Sequence, residues 1–388
     1  MIPATHPIRA FLEDRHLKLA EEVSAFAKKQ IGVLPSPPDD ATARRQAKDI
    51  LGILGGSGHL AHAVQAGEKK FDLRACALTR EALAAASPLA DAVFALQALS
   101  TTPMALAGSD ILKRRWLPDS ARGKCMGAFA MTEPEAGSDV SALRTRAHRK
   151  GNDYYLDGMK TLISNAGIAD FYTVFASTDP EKGSKGISCF VVESWSTGLR
   201  FSRAQVLSAP HPLGQVTFTD CRVGAGCRVG AEGDGFKIGM RTLDRLRATV
   251  GAAACGMAAR AFSEAKDYAQ KRRQFGKPLS DFQLIREKLA VMATELAAAR
   301  LLVYRAAWEV DSGAERVSVE SAMAKAYATE AAQRIVDGSL QILGGQGMMM
   351  EHPVERLYRA VRALRIYEGT TEIQYLVIAS QLLKETKA

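Results

Sequence analysis

The stretch R-I-Y-E-G-T-T-E-I-Q, residues 365–374, decides how the chain is read. It sets Glu368 between an aromatic, Tyr367, and a glycine, in a segment otherwise dominated by apolar helical patterning. A carboxylate held against apolar surface is poorly solvated, so its pKa rises and it becomes a stronger base than a surface glutamate. Removal of a weakly acidic carbon-bound proton requires such a base. Taken alone, the same residue fits a helix cap or an ion pair with Arg365 equally well.

Working outward, Phe282, Ile285, Leu289, Met292, Leu296 and Val303 recur at helical spacing with charges between them, which predicts long helices packed as a bundle. Between about Phe129 and Gly230 the texture changes to β-branched and aromatic runs, YTVFAS, GISCFVVE and QVTFTDCRV, separated by glycine, asparagine and aspartate turns. These predict an antiparallel β domain, a small barrel or sandwich. From Leu12 to about Gly123 alanine, leucine and charged residues alternate at helical spacing, broken at residues 35–40 and 52–58. The expected fold is therefore α+β and multidomain: an all-helical domain over residues 1–125, a β domain over 126–235 and a helical bundle carrying the base over 236–388.

Composition narrows the function classes. A chain of 388 residues with 47% hydrophobic content can bury a full core. No apolar run is read as approaching the roughly 18 residues that span a bilayer, and no apolar signal core opens the chain. Cys76, Cys125, Cys189, Cys221, Cys227 and Cys255 form no C-x-x-C pair and have no matching histidine spacing, which argues against a zinc site or a disulfide framework and for a reducing cytoplasm. The net charge of +9 is spread among acids without an aromatic-interleaved basic groove, so a polyanionic small ligand fits better than nucleic acid.

Further polar motifs stand out. F-A-M-T-E-P-E-A-G-S-D, residues 129–139, places Thr132, Gly137 and Ser138 in a loop able to cradle a flavin or a phosphate, though such residues also make ordinary turns. G-M-K-T-L-I-S-N-A-G, residues 158–167, adds Ser164 and Asn165. In residues 268–283 Arg272 and Arg273 precede Phe275 and Gly276, which suits a pyrophosphate contact. Q-I-L-G-G-Q-G, residues 341–347, supplies glycines that let a helix end approach a ligand. None of these is a G-x-G-x-x-G after a strand, so a Rossmann site is not supported.

These motifs, taken in order as MTEPEAGSD, K-x-x-I-S-N-A, R-x-x-F-G-K-P-L, QILGGQG and IYEGTTEIQ, resemble the acyl-CoA dehydrogenases over roughly residues 90–388. That family consists of FAD flavoproteins that introduce an α,β double bond into acyl-CoA thioesters. The resemblance implies an N-terminal helical domain, a middle antiparallel β-barrel domain and a C-terminal four-helix bundle, assembled as a homotetramer, a dimer of dimers. It implies Glu368 as the base taking the α-proton while flavin N5 accepts the β-hydride, and an electron-transfer flavoprotein as acceptor. FAD contacts are implied at Phe129, Met131, Thr132, Ser138, Ile163 and Ser164, the last in the place that addresses N5. Further FAD contacts are implied at Arg272, Phe275, Gln283, Gln341, Gly344, Gly345, Thr370 and Glu372, several of them across a subunit boundary. Ser138, Asp244, Arg247 and Gly369 are implied beside the acyl-CoA.

The chain departs from the family at several places. One branch keeps its base at the position of Leu246, which cannot accept a proton, and Asp244 lies two residues earlier, roughly 200° around a helix. Leu162 stands where an aromatic is common, residues 206–214 replace a longer turn, and Ala360 stands where an aspartate is common. Asp91 occupies the approximate place of an arginine in glutaryl-CoA dehydrogenases, which argues against a dicarboxylyl chain. It fits a solvent-facing or capping residue, or a second acid for a cyclic acyl group as in alicyclic acyl-CoA dehydrogenases. An acyl-CoA oxidase and a non-catalytic flavin-binding homologue are the competing readings.

Overall fold

In the computed structural model, which describes residues 5–67, 70–314 and 316–385, short polar side chains mark the early helix starts. Helix α1 (Asp14–Phe26) follows Glu13, whose amide donates to His16 Nδ1 at 3.1 Å. Asp39 accepts from the Thr42 amide at 2.7 Å to open α2 (Asp40–Gly56), and Asp72 accepts from the Ala75 amide at 2.9 Å to open α3 (Leu73–Ala86). Helices α4 (Pro88–Ala107) and α5 (Asp110–Ala121) complete the first helical region.

Two expectations need correcting here. The glycines at 52, 55 and 56 do not break α2 but lie inside it. At Gly55 the reason is a close approach, because a Cβ there would meet the Arg122 carbonyl oxygen at 2.1 Å. Helix α4, at 20 residues and mean hydropathy 1.2, is long and apolar enough to cross a membrane, contrary to the reading of the sequence. Its apolar window is 78% buried in the fold, as a core helix would be.

The chain condenses into two compact units: Met1–Pro35 with Asp72–Asp91 and Asp244–Ala388, and Ser36–Phe71 with Ala92–Leu243. Within the first, α3 is buried almost throughout, and its charged residues are all paired. Glu81 accepts from Arg300 Nε at 2.7 Å and from the Tyr304 hydroxyl at 2.8 Å. The long helices are α6 (Gly235–Lys271), α7 (Gln283–Asp311), α8 (Ser318–Leu343) and α10 (Thr371–Glu385), with the short α9 (Pro353–Val361) before the last. At Gly251 of α6 a Cβ would lie 2.6 Å from Val303 of α7 and 3.2 Å from the Ala324 oxygen of α8. Glycine is what lets these helices meet, and α10 packs on α8 to complete the helical bundle.

The second unit carries one eight-stranded sheet among the described residues. Its strands are β1 (Gly127–Ala130), β2 (Arg146–Lys150), β3 (Asp153–Ser164), β4 (Phe171–Ser177), β5 (Ile187–Glu193), β6 (Leu199–Ala204), β7 (Leu213–Gly224) and β8 (Arg228–Val229). The order is β6-β7-β3-β2-β4-β5-β8, with β1 beside β4. Most pairings are antiparallel as expected, but β1 and β2 both run parallel to β4, so the sheet is mixed. Parallel neighbours need a crossover in place of a hairpin, and hairpin signals in sequence do not reveal them. Tyr154, Leu156, Val174, Phe190, Val192, Val216 and Phe218 form its core.

Candidate active site

Glu368 stands on a strained turn. A 3-10 segment (Arg362–Arg365) and the start of α10 flank it, and Glu368 itself has φ +53°, followed by Gly369 at φ +90°. A left-handed non-glycine residue costs about 1–2 kcal/mol, so neighbours must hold it. Two do. Lys325 Nζ, from α8, donates to the Gly369 carbonyl at 2.7 Å, and Gln374 Nε2 donates to the same oxygen at 3.0 Å. The φ of Gly369 favours glycine, and a Cβ there would meet that Gln374 nitrogen at 2.4 Å and displace the amide that holds the turn. The alternatives left open by the sequence do not materialise: Arg365 pairs with Glu330 at 2.7 Å, and it is Thr370 Oγ1 that accepts from the Ile373 amide at 3.3 Å.

The surroundings of Glu368 disfavour its charged form. Its Oε2 is buried and accepts no hydrogen bond among the described residues. Burial raises its pKa above the usual carboxylate range, against the opposing fields of Arg80, Arg247 and Lys325, while Asp91 pushes in the same direction as burial. All three cations are partly spent elsewhere, Arg247 on Asp244 and Lys325 on the Gly369 carbonyl. Arg80 holds Asp91 through two parallel bonds, Nε to Oδ1 at 2.8 Å and Nη2 to Oδ2 at 2.9 Å, and donates to Thr249 Oγ1 at 2.9 Å. Asp91 is thus 2% exposed, with each oxygen bonded to Arg80, which corrects the expectation of a solvent-facing or capping residue. Burial depresses the Lys325 ammonium to about 8, with Glu368 pulling it back up.

Asp244 and Arg247 lie one turn apart on α6 and are joined by an ion pair from Nη1 to Oδ1, with Ser318 Oγ donating to Asp244 Oδ2 at 3.0 Å. Arg247 Nε is buried and makes no hydrogen bond among the described residues, a donor awaiting an acceptor. Leu246 is buried at 3% exposure, as an apolar core residue should be.

The residues implied for the far end of FAD fall in the same unit. Arg272 and Gly345 line one pocket of about 620 Å³ with Tyr268, Leu343, Gln346, Met349 and His352. Gly344 ends α8 at φ +58°, and a Cβ on it or on Gly345 would meet nothing within 4 Å, so the backbone there is open to close approach. A guanidinium beside bare glycine backbone is a donor set suited to a diphosphate. Arg273, by contrast, donates to the Gly276 carbonyl at 2.9 Å and serves its own hairpin. Phe275, at φ +48°, tips that hairpin between β9 (Arg273–Gln274) and β10 (Lys277–Pro278) and is 92% exposed. Gln283 and Gln341 lie exposed at the start of α7 and near the end of α8. Glu372 is exposed in the first turn of α10, its pKa lowered by bonds from its own amide and from Thr370.

The residues implied for the isoalloxazine ring lie in the second unit. Phe129 of β1 packs on Phe175 with ring centroids 5.0 Å apart. A fully buried lysine shapes the loop that follows: Lys160 Nζ donates to the Met131 carbonyl at 3.0 Å and to Glu133 Oε1 at 2.7 Å. Glu133 in turn accepts from the amides of Arg144 and Thr145. Thr132 presents its carbonyl to the Thr161 amide at 3.0 Å, and Ser138 is exposed. On β3, the pairing with β7 slips between Lys160 and Ile163, making a bulge at residues 161–162. Leu162 takes φ +54° there and is 54% exposed, its amide held by Gln205 Oε1 at 2.8 Å, while Ile163 is buried. Ser164 ends the strand with its hydroxyl on His211 Nε2 at 2.7 Å.

Lys325, Arg80 and His211 were not singled out in the sequence. The available signal was a lone lysine or arginine in an apolar helix, A-M-A-K-A-Y-A or A-L-T-R-E-A-L, which marks a buried charge in need of a partner.

Sequence models of three successive domains match the chain: the acyl-CoA dehydrogenase N-terminal domain over residues 13–124, the middle domain over 128–221 and the C-terminal domain over 233–383. The chain belongs to the acyl-CoA dehydrogenase family, a class of oxidoreductases. It is 36% identical over 379 residues to a "Probable acyl-CoA dehydrogenase" of Mycobacterium leprae, covering 96% of each chain. It is 44% identical over 285 residues to a 3-(aryl)acrylate reductase of Clostridium sporogenes, covering 73% of this chain and 75% of that one. Among solved structures, butyryl-CoA dehydrogenase from Megasphaera elsdenii superposes with TM-score 0.88 at 33% identity, over 96% of this chain and 99% of that one. A glutaryl-CoA dehydrogenase from Mycobacterium smegmatis in complex with FADH2 gives TM-score 0.87 at 26% identity, over 96% of both.

Proposed function

We propose that this protein is an FAD-dependent acyl-CoA dehydrogenase in which Glu368 removes the α-proton of a thioester. The observation that carries the reading is the buried, unpartnered Oε2 of Glu368 on a turn locked by Lys325 and Gln374. FAD, when bound, supplies the acceptor for the β-hydrogen. Arg272, Gly344 and Gly345 would hold its diphosphate, and Thr132 and Ser164 would address its ring system. The donor set of the Arg272 pocket fits that group, and the FADH2 complex of a relative supports it.

The chain's own residues do the rest. Burial keeps Glu368 basic, and proton transfer leaves it neutral, which suits a poorly solvated carboxyl. The negative charge that develops on the thioester needs donors, which the backbone amide of Glu368 provides in the family resemblance. The spare Nε of Arg247 is suited to an acceptor on the CoA portion. Reoxidation by an electron-transfer flavoprotein and assembly as a homotetramer complete the reading, and the exposed Phe275 supports a surface that another copy covers.

The test is an anaerobic titration of the flavin-loaded protein with straight, branched and cyclic acyl-CoAs. Bleaching of the oxidised flavin band by one class, lost in Glu368→Gln, is the expected result; equal bleaching by that variant would refute the role of Glu368. A second reading, that the enzyme runs in the direction of reduction, is favoured by the relative named as a 3-(aryl)acrylate reductase. Reoxidation of the reduced protein by an enoyl-CoA or a 3-arylacryloyl thioester, faster than acyl-CoA reduces it, would support that reading.

A further inference from the structure

The turn at residues 206–214, where the chain departs from its family, carries a histidine that touches the end of β3. His211 Nε2 lies 2.7 Å from Ser164 Oγ. The contact is fixed from several sides. Asn165 donates its amide to the Pro212 carbonyl at 2.7 Å, and Arg44 of α2 donates to the Ala166 carbonyl at 2.5 Å and the Leu213 carbonyl at 2.6 Å. Arg44 is itself paired with Asp40 at 2.6 Å and stacks on Phe201 at 5.1 Å. Burial, with help from the Arg44 charge and against Asp40, pushes the imidazole down to about 4. The ring is therefore neutral at ordinary pH, with one nitrogen that donates and one that accepts.

A neutral imidazole and a hydroxyl can share one hydrogen bond in two ways. With the ring proton on Nε2, the ring donates to Ser164 Oγ and the hydroxyl proton is left to donate elsewhere. With the ring proton on Nδ1, the hydroxyl donates to Nε2 and Oγ is left to accept. Oxidised isoalloxazine offers an acceptor nitrogen at N5, and the reduced ring offers an N–H there.

We propose that His211 is a positioning residue that aims the Ser164 hydroxyl, so that the pair presents a donor to the oxidised flavin and an acceptor to the reduced one. In passing between the two forms the imidazole loses the Nε2 proton and gains one at Nδ1 by exchange with solvent, and its net charge stays zero. The proposal rests on the reading that Ser164 faces the flavin.

The test uses the flavin-loaded protein and nitrogen-15 NMR of labelled histidine. The His211 Nε2 signal should change from protonated to unprotonated on reduction of the flavin, and an unchanged tautomer overturns the proposal. In Ser164→Ala, which removes the hydroxyl from Nε2, the change should be lost, and a tautomer that still switches there overturns the role of the pair. An unchanged tautomer in a protein whose flavin is still bleached by acyl-CoA leaves the proposed reaction standing while removing the role of His211.

Discussion

Replacing Asp91 by asparagine should cost both stability and base strength. Asp91 and Arg80 are each 3% exposed at the side chain and share two bonds near 2.8–2.9 Å, so the pair is desolvated and depends on its own geometry. Removing one partner of such a pair costs about 3–5 kcal/mol, because the other charge stays buried. Asparagine retains one acceptor for the guanidinium, which places Asp91→Asn near about 3 kcal/mol, more than a hundredfold in the unfolding constant. The second effect concerns Glu368. Asp91 raises its pKa and Arg80 lowers it, so losing the first and unmasking the second both depress it. The acid limb of the pH–rate profile should move to lower pH, and the plateau rate should fall as the base weakens. Urea unfolding with an unchanged slope, together with the profile, reads both effects. Arg80→Met with Asp91→Leu should restore stability to within about 1 kcal/mol of wild type, since an apolar replacement of a buried pair is close to neutral. A destabilisation by Asp91→Asn below about 1 kcal/mol with an unmoved acid limb would refute the reasoning.

Lys325→Met should lower turnover by tenfold or more with little change in KM, because a charge-assisted bond of about 1.5–3 kcal/mol to the Gly369 carbonyl is lost while Gln374 remains. Its stability should also part from wild type with pH: Lys325 is charged when unfolded and neutral when folded between about 8 and 10.5, so wild type gains on the variant as pH rises through that window, and parallel curves would count against the burial. Gly369→Ala meets φ +90° and a 2.4 Å contact, so it should cost about 2 kcal/mol or more and abolish acyl-CoA bleaching of the flavin; a fully active alanine variant would show that the turn is not held as described.

Glu368 stood out in the sequence because the features that mark it are local: an aromatic before it, a glycine after it and apolar helical patterning around it. The helical and β regions were legible for the same reason, since hydrophobic period is a property of neighbouring residues. What sequence could not supply was pairing over distance. Lys325 lies 44 residues from Gly369, and Arg300 lies 219 from Glu81, and nothing local says which buried charge finds which partner. Asp91 shows the point most clearly, for an acid in the first turn of a helix looks like a cap until Arg80 is placed beside it. The parallel neighbours of β4 and the continuation of α2 through its glycines were hidden likewise, being decided by crossover and packing in place of local preference.

The bulge in β3 has a consequence for how this site can diversify. Lys160 pairs with Val216 and Ile163 with Gly214, so three steps along β3 match two along β7 and the extra residue sits outside the ladder. Parity is preserved around it: Ile163 stays buried and Ser164 keeps its side regardless of what the extra residue is. Leu162 can therefore become larger, smaller or aromatic without any other side chain changing face, and Gln205 holds its backbone whatever the side chain. The protein has a position next to Ser164 where variation is insulated from the architecture, so the surface there can be retuned one substitution at a time.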